Sequence, residues 1–186
     1  MQPARHRRRA NSRGATTIEF GLAGILMMAF LFLIIDVSWA IFVRATLQYA
    51  VREGCRYAIT SQTRSDVKYK GNSLGHLDSI KYTVQRNALG TLGSTIGDAG
   101  WSKIDVQFYD PAKSLASPEP VPTDPGSPKI NKGGNIVEVS VVGFRLAPLL
   151  PLMRDAQPLT FTARSSDRME ASPGGVAPNY STGGGY

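Results

Sequence analysis

The sequence has few of the residues that build metal centres and disulfide bonds. It contains one cysteine, Cys55, and two histidines, His6 and His76, among 186 residues. A single cysteine excludes an intrachain disulfide and a cysteine-based metal site, and the two histidines have no partners at metal-ligand spacing. We therefore expect no metal ion and no other cofactor.

Acidic residues are absent before Glu19, whereas five of the 21 basic residues precede Gly14. The net charge of +7 therefore comes mostly from a basic leader, because the chain from Ala15 onward has 16 Lys and Arg against 14 Asp and Glu. That remainder lacks the stripe of basic residues with interleaved aromatics that a nucleic-acid groove requires. Nucleic acid is not an expected partner.

A catalytic constellation is also missing. Serine and threonine are plentiful, but His76 is expected in a solvated loop between glycines and is not placed to act as a base. Gly133 and Gly134 are not followed by a helix, so they do not form a phosphate-binding loop. Three aspartates lack the spacing of a calcium loop: Asp105, Asp110 and Asp124. The sequence therefore predicts that the protein is not an enzyme.

What the sequence does contain is a long apolar segment directly after the leader. Residues 20–35 carry no charge, and residues 20–43 are interrupted only by Asp36. A membrane-spanning helix needs about 20 predominantly apolar residues, and a basic leader keeps the N-terminus in the cytoplasm. We therefore expect a single-pass protein of the inner (cytoplasmic) membrane, with an extracytoplasmic C-terminal domain.

The two acids of this segment have different explanations. Asp36 lies 17 residues after Glu19, or about 25 Å along a helix. Its carboxylate can therefore reach the outer headgroups, although a helix-packing contact is the alternative. Glu19 lies at the inner boundary, where insertion does not require an acid, so it is a candidate functional residue.

Three processing fates compete for the segment. A signal peptide cleaved after Ala40 has an apolar region of about 7 to 15 residues, which is shorter than this one. An uncleaved signal anchor fits the length but leaves Gly14 and Glu19 unexplained. The third fate is cleavage on the cytoplasmic side, before the apolar segment begins.

Residues 14–20 read GATTIEF, a glycine followed at the fifth and sixth positions by Glu19 and Phe20. This pattern, after a basic leader, resembles the prepilin peptidase site of type IV pilins. More narrowly it resembles the TadE/TadF-like minor pilins, or pseudopilins, of the tight adherence (Tad, Flp) pilus. The resemblance implies cleavage between Gly14 and Ala15. Residues 53–62 are also similar to the end of the family's post-membrane helix.

The resemblance implies a structural function, which is assembly of a Tad-type adhesive pilus that this protein can join. Its implied partners are the prepilin peptidase, other Tad pilins and minor pilins, and the assembly platform of the inner membrane, besides the lipid bilayer. Cleavage creates a cationic amine on Ala15, which Glu19 of the same or a neighbouring subunit can neutralise at low dielectric. The alternative is an uncleaved, membrane-anchored envelope scaffold or binding domain. The choice between the TadE and TadF subtypes stays open.

The rest of the chain predicts a small α+β domain. The first helix continues with a stripe of small and apolar residues that includes Gly54 and Cys55. Cys55 is interpreted as a core residue, with an intermolecular disulfide as the alternative. A second helix is expected to have its N-cap at Asp78 or Ser79 and to end before Gly93. Its apolar stripe is Ile80, Val84, Ala88 and Leu92. Alternating patterns predict three antiparallel strands, around residues 104–109, 137–141 and 159–164.

Four regions follow from these patterns. We expect a basic leader at 1–14, a transmembrane pilin-like helix at 15–43 and an extracytoplasmic domain at 44–170, in which residues 110–134 form a proline-rich loop. The tail 171–186, with six glycines, is expected to be disordered because it cannot bury a core.

Overall fold

The computed structural model describes residues 12–112, 131–148, 158–172 and 175–180. The chain divides into two compact units, one of residues 1–39 and 148–157 and the other of residues 40–147 and 158–186. Most of the predicted leader, of the proline-rich loop and of the connection between the last two strands lies outside the described residues.

The first helix, α1, extends from Ser12 to Ile59 and contributes to both units. No proline interrupts its 48 residues, and Leu, Ala, Met and Arg, which favour helix, are frequent in it. In the first unit, the described residues from Gly14 to Trp39 are exposed or half-buried. A helix that is apolar on all sides is typical of a membrane span, and α1 is long and apolar enough to cross a membrane.

In the second unit α1 is amphipathic, as the sequence predicted. The predicted stripe is buried at every position: Leu47, Ala50, Val51, Gly54, Cys55 and Ala58. Gly54 lies where α1 and the second helix come close together, because a Cβ atom built there would overlap Val84 Cγ2. The absence of a side chain at Gly54 is therefore a packing requirement of the core.

The polar segment after α1 contains a small hairpin. Strand β1, Lys68–Tyr69, pairs antiparallel with β2, Asn72–Ser73. The two residues between them, Lys70 and Gly71, have φ of 52° and 85°, which is the geometry of the tight turns that suit two-residue hairpin loops. The sequence analysis missed this hairpin because its strands have only two residues each.

The second helix, α2, extends from His76 to Asn87, so it begins before the predicted N-cap at Asp78 or Ser79. Its N-cap is Gly75, which makes no side-chain capping bond. The predicted apolar stripe is buried, but its last turn is not helical, because Leu89 and Gly90 adopt positive φ. Side-chain patterns did not predict the start, because backbone groups from the chain's C-terminal segment cap this helix.

The three predicted strands form one antiparallel sheet in the order β3-β4-β5. Strand β3 is Ile104–Tyr109, strand β4 is Ile136–Leu146 and strand β5 is Leu159–Arg168. A short 3-10 helix, Trp101–Lys103, precedes β3. The inward face buries alternate residues against α1 and α2, as alternation predicts: Val106, Phe108, Val137, Val139, Val141 and Ala163. The predicted α+β fold is confirmed.

The C-terminal segment differs from the expected disorder. Its described residues 175–180 include two carbonyl groups that accept hydrogen bonds from the first turn of α2. Tyr180 is half-buried and packs against the core. Composition alone did not predict this order, because the segment is held mainly through its backbone and one aromatic ring.

Candidate functional site: the amino-terminal part of α1

The residues of the predicted processing site lie in the first turns of α1. Gly14, Ala15, Glu19 and Phe20 are all exposed. A Cβ atom built on Gly14 would meet no described atom within 4 Å. Packing within the described chain therefore does not require a glycine at this position. Glycine also costs a helix about 1 kcal/mol relative to alanine, so helix stability does not explain it either.

Helix geometry brings Ala15 and Glu19 together. Residues four apart lie on the same face of a helix, with about 6 Å between their Cβ atoms. If the chain began at Ala15, the carboxylate of Glu19 would lie one turn from the new amine. The same face is exposed, so an amine on a neighbouring copy could also reach it.

The side chains around this pair have no covering layer. Phe20 is 80% exposed and Ile18 is 74% exposed. Large apolar side chains remain exposed around the helix up to Phe42. A contiguous apolar surface of this size marks a membrane or protein contact. Residues 14–39 of the first unit therefore form an exposed apolar helix, called the apolar rod below, with the carboxylate of Glu19 near its start.

Asp36 is half-buried on the same rod, one turn before Trp39. Both residues make interactions within the chain. Asp36 and Trp39 thus lie within one helical turn near the end of the apolar run.

Cys55, the remaining candidate, is not part of this surface. Its side chain is 3% exposed and belongs to the core of the second unit. A buried thiol cannot meet the thiol of another molecule unless the core opens. The structure therefore favours the core interpretation of Cys55 over the intermolecular disulfide.

His76 is the residue that the sequence analysis misjudged. It was expected to be solvated, but its side chain is 0% exposed at the start of α2. Burial lowers the pKa of its imidazole to about 4, because the charged form loses its hydration, while the backbone of Ala58 opposes this shift. Burial likewise lowers the pKa of Lys81, against the attraction of Asp78 and Asp105.

No three His, Cys, Asp or Glu side chains among the described residues come close enough to hold a metal ion. A cavity of about 420 Å³ lies beside the β1–β2 hairpin, and it is lined by Thr63, Ser65, Ser73, Leu74, Gly75 and residues 176–179. None of these lining side chains is ionisable, so the cavity supplies neither a general acid nor a general base.

The family model of TadE-like proteins matches residues 14–56. This segment begins at Gly14, contains the whole exposed apolar rod and ends in the last turn of α1. No curated protein and no solved structure matches the chain. The family is structural rather than catalytic. The resemblance found in the sequence is therefore confirmed for residues 14–56, which are 43 of the 186 residues and are similar to TadE-like proteins.

Proposed function

We propose that this protein is a minor pilin or pseudopilin that takes part in assembling a Tad-type adhesive pilus. The observation that carries the proposal is the apolar rod of α1, which is exposed on all sides within a TadE-like segment. A surface of this kind serves equally in a lipid bilayer and in a bundle of identical helices. A pilin requires both, because it is stored in the membrane before it joins a filament.

The proposed mechanism begins with removal of residues 1–14 by a prepilin peptidase. The five arginines of this leader orient the chain during insertion, but they would resist transfer of the helix out of the membrane. After cleavage, the amine of Ala15 and the carboxylate of Glu19 neutralise each other, within one subunit or between two. A pair between subunits also fixes how far one helix is displaced along its neighbour.

The proposed organisation follows from this mechanism. Residues 15–43 form the membrane and filament helix. In this helix Phe20 belongs with Glu19 to the register site, and Asp36 reaches the outer headgroups or, as the alternative, contacts a packed helix. Residues 44–170 form the extracytoplasmic domain. The partners are other Tad pilins and minor pilins, the assembly platform and the prepilin peptidase, and the protein resides in the inner membrane before assembly.

The N-terminal residue of the protein purified from membranes tests the processing step. Edman sequencing or intact mass is expected to give Ala15. Met1 would indicate the uncleaved anchor, and Ile41 a secreted protein. Gly14→Ala is expected to accumulate full-length precursor, whereas the control Gly21→Ala changes another exposed glycine of α1 and should be processed normally.

The role of Glu19 is tested separately from cleavage. Glu19→Gln keeps the size of the side chain and removes its charge, so the variant should be processed but should assemble few pili. Glu53→Gln, which changes the next glutamate on α1, is the matched control. Normal piliation of the Glu19→Gln strain would show that charge neutralisation is not required for assembly.

A further inference from the structure

The segment Pro178–Tyr180 is bound to the first turn of α2. The backbone N–H of His76 donates to the carbonyl of Asn179 at 2.8 Å, and the N–H of Leu77 donates to the carbonyl of Tyr180 at 2.9 Å. The first N–H groups of a helix have no partner within the helix. The C-terminal segment therefore does for α2 what a side-chain cap does in other helices.

Two side chains complete this attachment. The amide Nδ2 of Asn131 donates to the carbonyl of Pro178 at 2.8 Å. The ring of Tyr180 meets the ring of Phe108 edge to face, with centroids 6.1 Å apart. We call residues 178–180 the latch, because these four contacts hold it against the domain.

His76 lies at the centre of the contacts. Its ring is fully buried, and its centroid lies 6.2 Å from that of Phe108. Its Nδ1 is 3.4 Å from Nδ2 of Asn131, the same nitrogen that donates to Pro178. Among the described residues, no acceptor hydrogen-bonds its buried Nε2. One amide nitrogen therefore connects the imidazole to the latch.

This arrangement requires a neutral imidazole. An amide nitrogen can only donate, so Nδ1 of His76 must present its lone pair to Asn131. A proton on Nδ1 would place two donors against each other. Turning the amide of Asn131 over would satisfy His76, but the amide oxygen would then face the carbonyl oxygen of Pro178. Either orientation loses one of the two contacts.

We propose that residues 178–180 are an acid-released latch, in which protonation of His76 displaces Asn131 from Pro178 and detaches the segment from α2. The new positive charge would also lie at the positive end of the α2 dipole. Detachment exposes the ring of Phe108 and the first N–H groups of α2, and it gives the imidazolium access to water.

The groups that face His76 do not offset this charge. From α1 it meets the carbonyl of Ala58, which gives limited support to the charged form. From β3 it meets the ring of Phe108, and from the latch its backbone N–H meets the carbonyl of Asn179. On its own helix the nearest acid is Asp78, two residues on. None of the contacting groups from the other elements is an anion at acidic pH.

Hydrogen exchange of the full-length protein in detergent micelles tests the latch. The probes are the amides of His76 and Leu77, with the amides of Val137 and Val139 in β4 as an internal reference. The pKa of His76 is about 4 with the latch closed and should be about 6.5 with it open. The equilibrium constant for latch opening is therefore about a hundredfold larger at pH 4 than at neutral pH. Protection should therefore fall at α2 and persist in β4.

Two variants separate the proton from the packing. His76→Phe keeps a ring and cannot titrate, so its α2 amides should stay protected at pH 4. Asn131→Asp replaces the donor by a carboxylate facing Pro178, so its α2 amides should be unprotected already at neutral pH. The same acid loss of protection in His76→Phe, or a parallel loss in β4, would overturn the proposal.

Discussion

Gly54 offers the sharpest test of the packing between α1 and α2. An alanine at this position has two opposing effects on stability. Replacing glycine by alanine inside a helix contributes about 1 kcal/mol of stability. The added methyl, however, would overlap Val84 Cγ2 and lie 3.6 Å from Val139 Cγ1. Overpacking of a core typically costs about 1 to 3 kcal/mol.

The steric effect is expected to dominate. Val84 and Val139 are both 0% exposed, and a helical valine has one strongly preferred χ1 rotamer. Val84 can therefore move only if α2 moves with it. We expect Gly54→Ala to destabilise the domain by about 1 to 2 kcal/mol, measured by urea denaturation of the purified chain with tryptophan fluorescence.

A double-mutant cycle isolates this contact. Val84→Ala alone should cost about 2 kcal/mol through lost burial and the cavity that it leaves. In that background the methyl at position 54 has room, so Gly54→Ala should become stabilising by about 1 kcal/mol. If Gly54→Ala is stabilising in the wild-type background, or if the two changes are additive, the close approach of the two helices is not the reason for the glycine.

Two further predictions concern buried groups. Because burial lowers the pKa of His76 from 6.5 to about 4, the unfolded chain takes up the proton first. Stability is therefore complete above pH 6.5 and falls between pH 6.5 and 4 by at most about 3 kcal/mol. Urea denaturation at several pH values should show this slope in the wild type and a smaller one in His76→Phe. Cys55, which is buried, should react with a maleimide only after denaturation, and labelling at the same rate in native buffer would contradict its place in the core.

The periodic parts of the fold were predictable from the sequence. The stripe of α1 and the alternation in β3 and β4 repeat over several turns or residue pairs, and burial follows them closely. The helical spacing of Ala15 and Glu19 also follows from the sequence, whereas their role in processing and pairing stays a prediction. Periodicity predicts these features because the repeat of a single helix or strand decides which of its residues share a face.

The features that the sequence did not predict depend on contacts between distant segments. The start of α2 is capped by the carbonyls of Asn179 and Tyr180, about 100 residues later in the chain. The residues next to the helix start do not indicate such a cap. His76 was misjudged for the same reason, since its burial comes from Phe108, Asn131 and the latch. Backbone-mediated contacts have no side-chain pattern, so they are visible only in three dimensions.

The bulge in β4 divides the sheet into parts of unequal stability. The strand β3 pairs with β4 only from Ile136 to Val141. Beyond the register shift between Val141 and Phe144, β4 and β5 continue as a two-stranded ribbon up to the pair Leu146 and Leu159. The ribbon's Phe144, Leu146 and Phe161 are only partly buried against the core, and two paired strands add little stability of their own. The ribbon should therefore open and close many times during the lifetime of the three-stranded part. The sheet then has a flexible end at the ribbon and a rigid end where β3, β4 and β5 pair.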